Sequence, residues 1–244
     1  AVESLGTGVN ADGLEAGRCW RLSADIDGHA RSSGPGLATQ ARRGRMLQLL
    51  GEREGTRLRA RLLEDGYPCW LELSQLLERA IPAQPSRALP LGPSSIAARL
   101  PEVLTFAERA REQPNQYLWG GTLGPDFDWS GFVQSAFASA GIWIPRDAYQ
   151  QERFCQPVAV RPGVFALLQP GDLIFFGRPQ RCRHVGLYPG AGHYRHRSGK
   201  EHGRGGLGID QLSPEADHPV SCHYRSELRG AGRVVRCHDG TTLA

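Results

Sequence analysis

The chain reads as an α+β domain over residues 96–236, preceded by a small β-barrel over residues 16–80. Three observations predict this. Short segments broken by Gly, Pro and Asp fill the region before residue 80, and one of them, Arg57-Leu58-Arg59-Ala60-Arg61-Leu62-Leu63, alternates apolar residues and arginine at a period of two. Residues 81–95 carry Pro82, Pro85, Pro90 and Pro93, too much proline for regular structure, and so form a linker. Beyond the linker, helical spacing comes first and apolar strands follow, the order of an α+β layer fold.

In the first domain, Arg18–Leu22, Arg45–Leu50, Arg57–Leu63 and Cys69–Leu73 are strand candidates, and several short strands in so few residues suggest a closed barrel. Ser94 or Ser95 is placed to cap a helix on which Ile96, Leu100, Val103, Leu104, Ala107 and Ala110 recur on one face. A second helix runs from about Ser130 to Ala140, with Phe132, Val133, Ala136, Phe137 and Ala140 on its apolar side and Gly141 as its stop. Asp172–Phe176 and His184–Tyr188 read as strong strands, and Leu207–Asp210 and Gly232–Val235 as further ones.

Bulk composition excludes several classes. The 244 residues carry a formal charge of +4, with the arginines scattered. The densest run, Arg42-Arg43-Gly44-Arg45, reads as a solvated loop rather than a nucleic-acid stripe. No apolar run is long enough for a bilayer, and the first residues show no basic-then-apolar secretory pattern. Six cysteines without a Cys-x-x-Cys pair are expected to be buried free thiols. His193, His196 and His202 lack a cysteine pair or a carboxylate at ligand spacing, so neither a metal nor a cofactor is expected.

The chemistry concentrates in Asp126-Phe127-Asp128-Trp129-Ser130-Gly131, which follows Tyr117-Leu118-Trp119-Gly120-Gly121 and precedes, in the chain, a histidine inside an apolar strand, Arg183-His184-Val185-Gly186-Leu187-Tyr188. A thiolate at a helix N-terminus is stabilised by free N–H groups and the helix dipole, a neighbouring histidine takes its proton, and a third polar group orients that histidine. The helix start near residue 129, His184, and His196 on the next strand supply those parts, except that the reactive position holds Trp129. Indole offers one N–H donor and an apolar ring, not a nucleophile.

Tyr117-x-Trp119-Gly120-Gly121, Asp128-x-Ser130-Gly131, Pro145-Arg146, Pro170-Gly171-Asp172-Leu173-Ile174-Phe175-Phe176 and His184-Val185-Gly186-Leu187-Tyr188 occur in the order and spacing of the NlpC/P60 cysteine peptidases, which the second domain resembles. The first domain resembles the bacterial SH3 modules that precede this peptidase in some members. The resemblance implies a papain-like fold, cleavage of cell-wall peptides between D-glutamate and a diamino acid, His184 as base and His196 as its orienter. It also implies Tyr117 beside the reaction centre, with Asp128, Ser130 and Arg146 among the substrate contacts. Trp119 is expected to pack. Tyr67 and Glu64, in the turn Glu64-Asp65-Gly66-Tyr67-Pro68, would pack on the peptide and pair with its free amino terminus.

Trp129 departs from the family, where a cysteine is expected, and Arg195 departs where an apolar residue is expected. Ser130 points about 100° away from position 129 on the helix, Cys155 lies beyond the next helix, and Cys182 sits on the loop before His184, so none substitutes readily. The expected partner is a murein stem peptide of the L-Ala-γ-D-Glu-diaminopimelate type, met in the cytoplasm during recycling or in the periplasm during wall turnover. Three functions follow: a pseudoenzyme that keeps the stem-peptide groove, an endopeptidase active in a form with cysteine in place of Trp129 (a single base separates the two codons), or a non-catalytic interaction module.

Overall fold

A computed structural model describes residues 13–86, 90–197 and 205–241. The chain divides into two compact units. One spans Ala1–Ala88 together with Gly240–Thr242, the other Leu89–Asp239.

The first unit contains β1 (Cys19–Leu22), β2 (Ile26–His29), β3 (Leu37–Ala41), β4 (Met46–Glu54), β5 (Arg57–Leu62), β6 (Pro68–Glu72), the short helix α1 (Leu73–Arg79) and β7 (Ala80–Pro82). They form one curled, SH3-like sheet in the order β3-β2-β6-β5-β4-β1-β7. Alternation decides which side chains meet inside. Leu58, Ala60 and Leu62 of β5 turn into a core with Trp20, Leu22, Leu47, Leu49 and Leu71, while Arg59 and Arg61 turn outward.

Three expectations for this unit change. Leu73 opens α1 instead of ending a strand. The segment after residue 80 begins as an edge strand, with Trp20 opposite Pro82, because an edge position tolerates the N–H that proline lacks. Arg45 is buried, not solvated: it pairs with Asp65 at 2.8 Å and with Glu64 at 3.1 Å, while Arg42 and Arg43 stay exposed.

The second unit begins with α2 (Pro93–Glu112). Its cap is Gly92 followed by Pro93 at the first helical position, so the helix starts earlier than Ser94, on a proline whose fixed φ suits that place. Then come α3 (Trp129–Ser139), α4 (Ala148–Phe154), β8 (Gln156–Val158), β9 (Leu173–Arg178), β10 (Arg181–Gly190), β11 (His193–Arg197), β12 (Leu207–Gln211), α5 (Pro219–Ser226) and β13 (Leu228–Arg233). The six strands are ordered β12-β11-β10-β9-β13-β8.

This sheet is covered on both faces. Leu173, Phe175, Val185 and Leu187 meet Val103, Phe132, Val133 and Phe137 of α2 and α3. Ile174, Phe176, Tyr188 and Tyr194 meet Val220 and Tyr224 of α5. Two-sided burial explains why β9 reads as a continuous apolar run. Among the described residues, no helix is long and apolar enough to cross a membrane.

Candidate active site

The site is built where the N-terminus of α3 meets the strands β10 and β11. Asp128 caps α3. Its Oδ1 accepts from the Gly131 N–H at 2.6 Å and its Oδ2 from the Gly120 N–H at 2.9 Å. The buried Arg146 guanidinium closes on the same carboxylate through two N–H groups at 3.2 and 2.7 Å, and donates to Ser130 Oγ at 3.0 Å. These contacts need backbone within reach of backbone. A Cβ on Gly131 would stand 2.1 Å from the Gly121 carbonyl, and Gly120 has φ +79. The glycines of Tyr117-x-Trp119-Gly120-Gly121 and the Asp128-x-Ser130-Gly131 motif thus form one frame that fixes where residue 129 emerges.

Trp129 occupies the first position of α3. Its ring centroid lies 5.1 Å from that of His184, 5.0 Å from Tyr117 and 6.1 Å from Trp119. Trp119 is 65% exposed, so it does not pack inside as expected. Tyr117 is held against Phe127 by an isolated bridge, and burial pushes its phenol pKa upward, so it stays a protonated donor.

Behind Trp129 runs a buried chain of polar groups. His184 Nε2 and His196 Nδ1 are 2.7 Å apart, and His196 Nε2 and Asp210 Oδ2 are 2.7 Å apart. Asp210 Oδ1 accepts from Ser221 Oγ at 2.8 Å. An ionised carboxylate only accepts, so His196 carries its proton on Nε2 and accepts on Nδ1. His184 then donates from Nε2, which leaves its lone pair on Nδ1, the tautomer a general base needs. His184 also stacks on Tyr224, with centroids 4.2 Å apart and ring planes 24° apart.

Residues 114–216 match the NlpC/P60 family model, and residues 29–76 match that of the bacterial dipeptidyl-peptidase Sh3 domain. The chain carries an NlpC/P60 domain. A γ-D-glutamyl-L-lysine dipeptidyl-peptidase of Bacillus cereus is 45% identical over 83 residues, 33% of this chain and 23% of the relative. The bifunctional muramidase/DL-endopeptidase CwlT of Bacillus subtilis is 37% identical over 90 residues, 35% of this chain and 26% of its own length. The chain therefore spans about a quarter of these curated relatives. A solved NlpC/P60 family protein from Bacillus cereus superposes with a TM-score of 0.47 at 26% identity, covering 90% of this chain and 64% of the other.

Within the NlpC/P60 domain, the structure brings Tyr117, Trp129, His184 and His196 together, and Asp128, Ser130 and Arg146 are joined to one another at the start of α3. The last three are engaged with one another and with backbone, which makes them a frame in addition to any substrate contact. Arg195, the second departure, pairs with Glu108 of α2 at 2.7 Å and so ties β11 to that helix. In the SH3-like unit, both oxygens of Glu64 are taken, one by the Met46 N–H at 2.6 Å and one by Arg45. The Tyr67 N–H donates to Asp65 at 3.2 Å. His202 lies outside the described residues. Among those described, no group of His, Cys, Asp and Glu is gathered to hold a metal ion.

Cys182 and Cys155 are both core thiols. Cys182 belongs to β10 rather than to a loop, and a register shift between Cys182 and His184 turns the two side chains to opposite faces. Cys182 lies in the core with Val185 and Leu187, and burial pushes its pKa up to about 12. Burial also raises Cys155, which packs against Gly232. Asp210, Ser221, Tyr224 and Arg197 complete the neighbourhood, and none of them is apparent from the sequence. The alternation in Leu207–Gln211, which turns Gly208, Asp210 and Leu212 inward, is the one signal that could have found Asp210.

Proposed function

We propose that this chain is a stem-peptide-binding member of a family of peptidoglycan hydrolases, with a catalytic frame that lacks its nucleophile. The observation that carries the reading is the indole of Trp129 at the first position of α3, 5.1 Å from the His184 ring. An attacking thiolate would be generated at that point by the helix N-terminus and the His184 base. Removing the nucleophile from such a unit removes nearly all of its rate. The base, its orienter His196 and the frame of Asp128, Ser130 and Arg146 persist without it. The relatives named for γ-D-glutamyl-L-lysine dipeptidyl-peptidase and DL-endopeptidase activity support a murein stem peptide, L-Ala-γ-D-Glu-diaminopimelate in type, as ligand.

In this reading Tyr117, Trp119 and Trp129 form the aromatic rim against which the peptide lies, and Tyr117 offers its phenol to a carbonyl or carboxylate oxygen. Asp128, Ser130 and Arg146 set the floor. Tyr67 and Glu64 belong to the separate SH3-like unit and are proposed as further peptide contacts. Glu64 would first have to share a carboxylate already used by Arg45. The second reading, an endopeptidase in its Trp129→Cys form, is favoured by the His184–His196–Asp210 chain, which retains the tautomer of a working base. The test is equilibrium binding of L-Ala-γ-D-Glu-diaminopimelate alongside a search for free diaminopimelate. Binding without release supports the proposal, and no binding at all refutes it.

A further inference from the structure

Arg197 ends β11 with no exposed surface, one residue beyond His196 and on the opposite face of the strand. Its Nη1 donates to Asn115 Oδ1 at 2.7 Å, but among the described residues neither Nε nor Nη2 has a hydrogen-bond partner. Those two nitrogens form one edge of the guanidinium, the edge whose parallel N–H groups match the two oxygens of a carboxylate. The nearby Tyr117 hydroxyl is likewise buried without a partner among the described residues, and it stays protonated.

The surroundings do not explain the open edge. Asp126 and Asp128 lie within the electrostatic field of Arg197, yet neither pairs with it. Asp126 Oδ1 accepts from the Gln116 N–H at 2.6 Å, and Asp128 is saturated by Arg146 and two backbone N–H groups. Burial pulls the Arg197 pKa down only to about 10, so the group is a cation at neutral pH. A buried guanidinium with an unsatisfied edge is destabilising by itself and calls for a reason. Asn115 does not need it, because Asn115 Oδ1 also accepts from the Leu207 N–H at 3.1 Å.

We propose that the Nε/Nη2 edge of Arg197, together with the Tyr117 hydroxyl, is a receptor for a carboxylate of the bound ligand. The proposal rests on the stem-peptide reading for the identity of that ligand. A γ-linked D-glutamate leaves its α-carboxylate free, and that group is the one the receptor takes. Specificity then follows from charge: a ligand with the carboxylate satisfies the open edge, whereas its amide presents an N–H₂ to two further donors and leaves the guanidinium buried without an anion.

The experiment is calorimetric binding of L-Ala-γ-D-Glu-diaminopimelate, and of the same peptide with the D-Glu α-carboxylate amidated, to the full chain and to Arg197→Met. The melting temperature in acetate, at constant ionic strength, is a second readout that needs no stem peptide. In the parent, the carboxylate peptide is expected to bind about 10- to 100-fold more tightly than the amide, the range for charge-assisted hydrogen bonds. In Arg197→Met this ratio falls to within about twofold, acetate no longer raises the melting temperature, and without anion the variant melts no lower than the parent. An unchanged ratio, or a variant that melts several degrees lower, assigns Arg197 to structure alone and overturns the proposal. If neither peptide binds but acetate stabilises only the parent, the carboxylate receptor stands and the stem-peptide reading falls. If acetate also has no Arg197-dependent effect, both fall.

Discussion

Replacing Asp128 by alanine removes, in one step, the cap of α3 and the ion-pair partner of a buried arginine. Asp128 Oδ1 and Oδ2 accept from two backbone N–H groups and from Arg146, whose side chain is 1% exposed. Losing a helix cap costs about 1 kcal/mol, and leaving one member of a buried pair uncompensated costs about 3–5 kcal/mol. The two penalties share one carboxylate and are not additive, so a loss of about 4 kcal/mol is expected. For a unit of this size, each kcal/mol lowers the melting temperature by about 2–4 °C, giving a drop of about 8–16 °C. The assay is thermal unfolding followed by near-ultraviolet circular dichroism, which reports the tryptophans of both units. Asp128→Ala combined with Arg146→Met should recover a substantial part of the loss, because the stranded charge goes with it. A drop below about 3 °C for the single variant, or no recovery in the double, would refute the view that this pair holds the frame at the start of α3.

In a Trp129→Cys background, Asp210→Asn should leave the fold intact and lower kcat by about 10²- to 10⁴-fold, since an amide no longer enforces the His196 tautomer; an unchanged kcat would exclude Asp210 from the relay. Iodoacetamide at about pH 8 should modify the partly exposed Cys19, Cys222 and Cys237, while Cys69, Cys155 and Cys182 react only after unfolding, as peptide mass mapping will show. Cys69 and Cys182 are pushed up to about 12 in the fold from an ordinary 9.0, so they contribute stability below pH 9 that is lost as pH rises from about 9 to about 12. A denaturation series in that window should fall with pH, and less steeply in Cys69→Ala/Cys182→Ala. Arg195→Ala breaks a partly exposed pair with Glu108 and should cost no more than about 1 kcal/mol, measured as a small shift in the denaturant midpoint.

The parts of the fold legible in the sequence are those whose burial pattern is periodic. The alternation of β5, the helical spacing of α2 and α3, and the continuous apolar run of β9 each follow from which faces meet water. His184 is legible because it interrupts an apolar strand. Other parts resist for physical reasons. The strand that carries His196 is legible, but the burial of Arg197 at its end is not: β11 lies between β10 and β12, and that position buries a guanidinium that composition assigns to the surface. Asp210 looks like a strand terminator because its role depends on His196 across the ladder, not on its chain neighbours. Glu64 reads as an available carboxylate, yet the fold brings Arg45 and the Met46 N–H onto it from another strand. Proline at residue 82 disguises β7, since only an edge position makes it acceptable.

The central claim is that one side chain separates a complete peptidase frame from activity. It is tested by measuring release of diaminopimelate from L-Ala-γ-D-Glu-diaminopimelate by the protein and by Trp129→Cys, side by side. The expected result is no turnover by the protein and clear turnover by Trp129→Cys, abolished again by adding His184→Ala. Turnover by the protein with Trp129 in place would contradict the claim directly, and silence from both would show that more than the nucleophile has been lost.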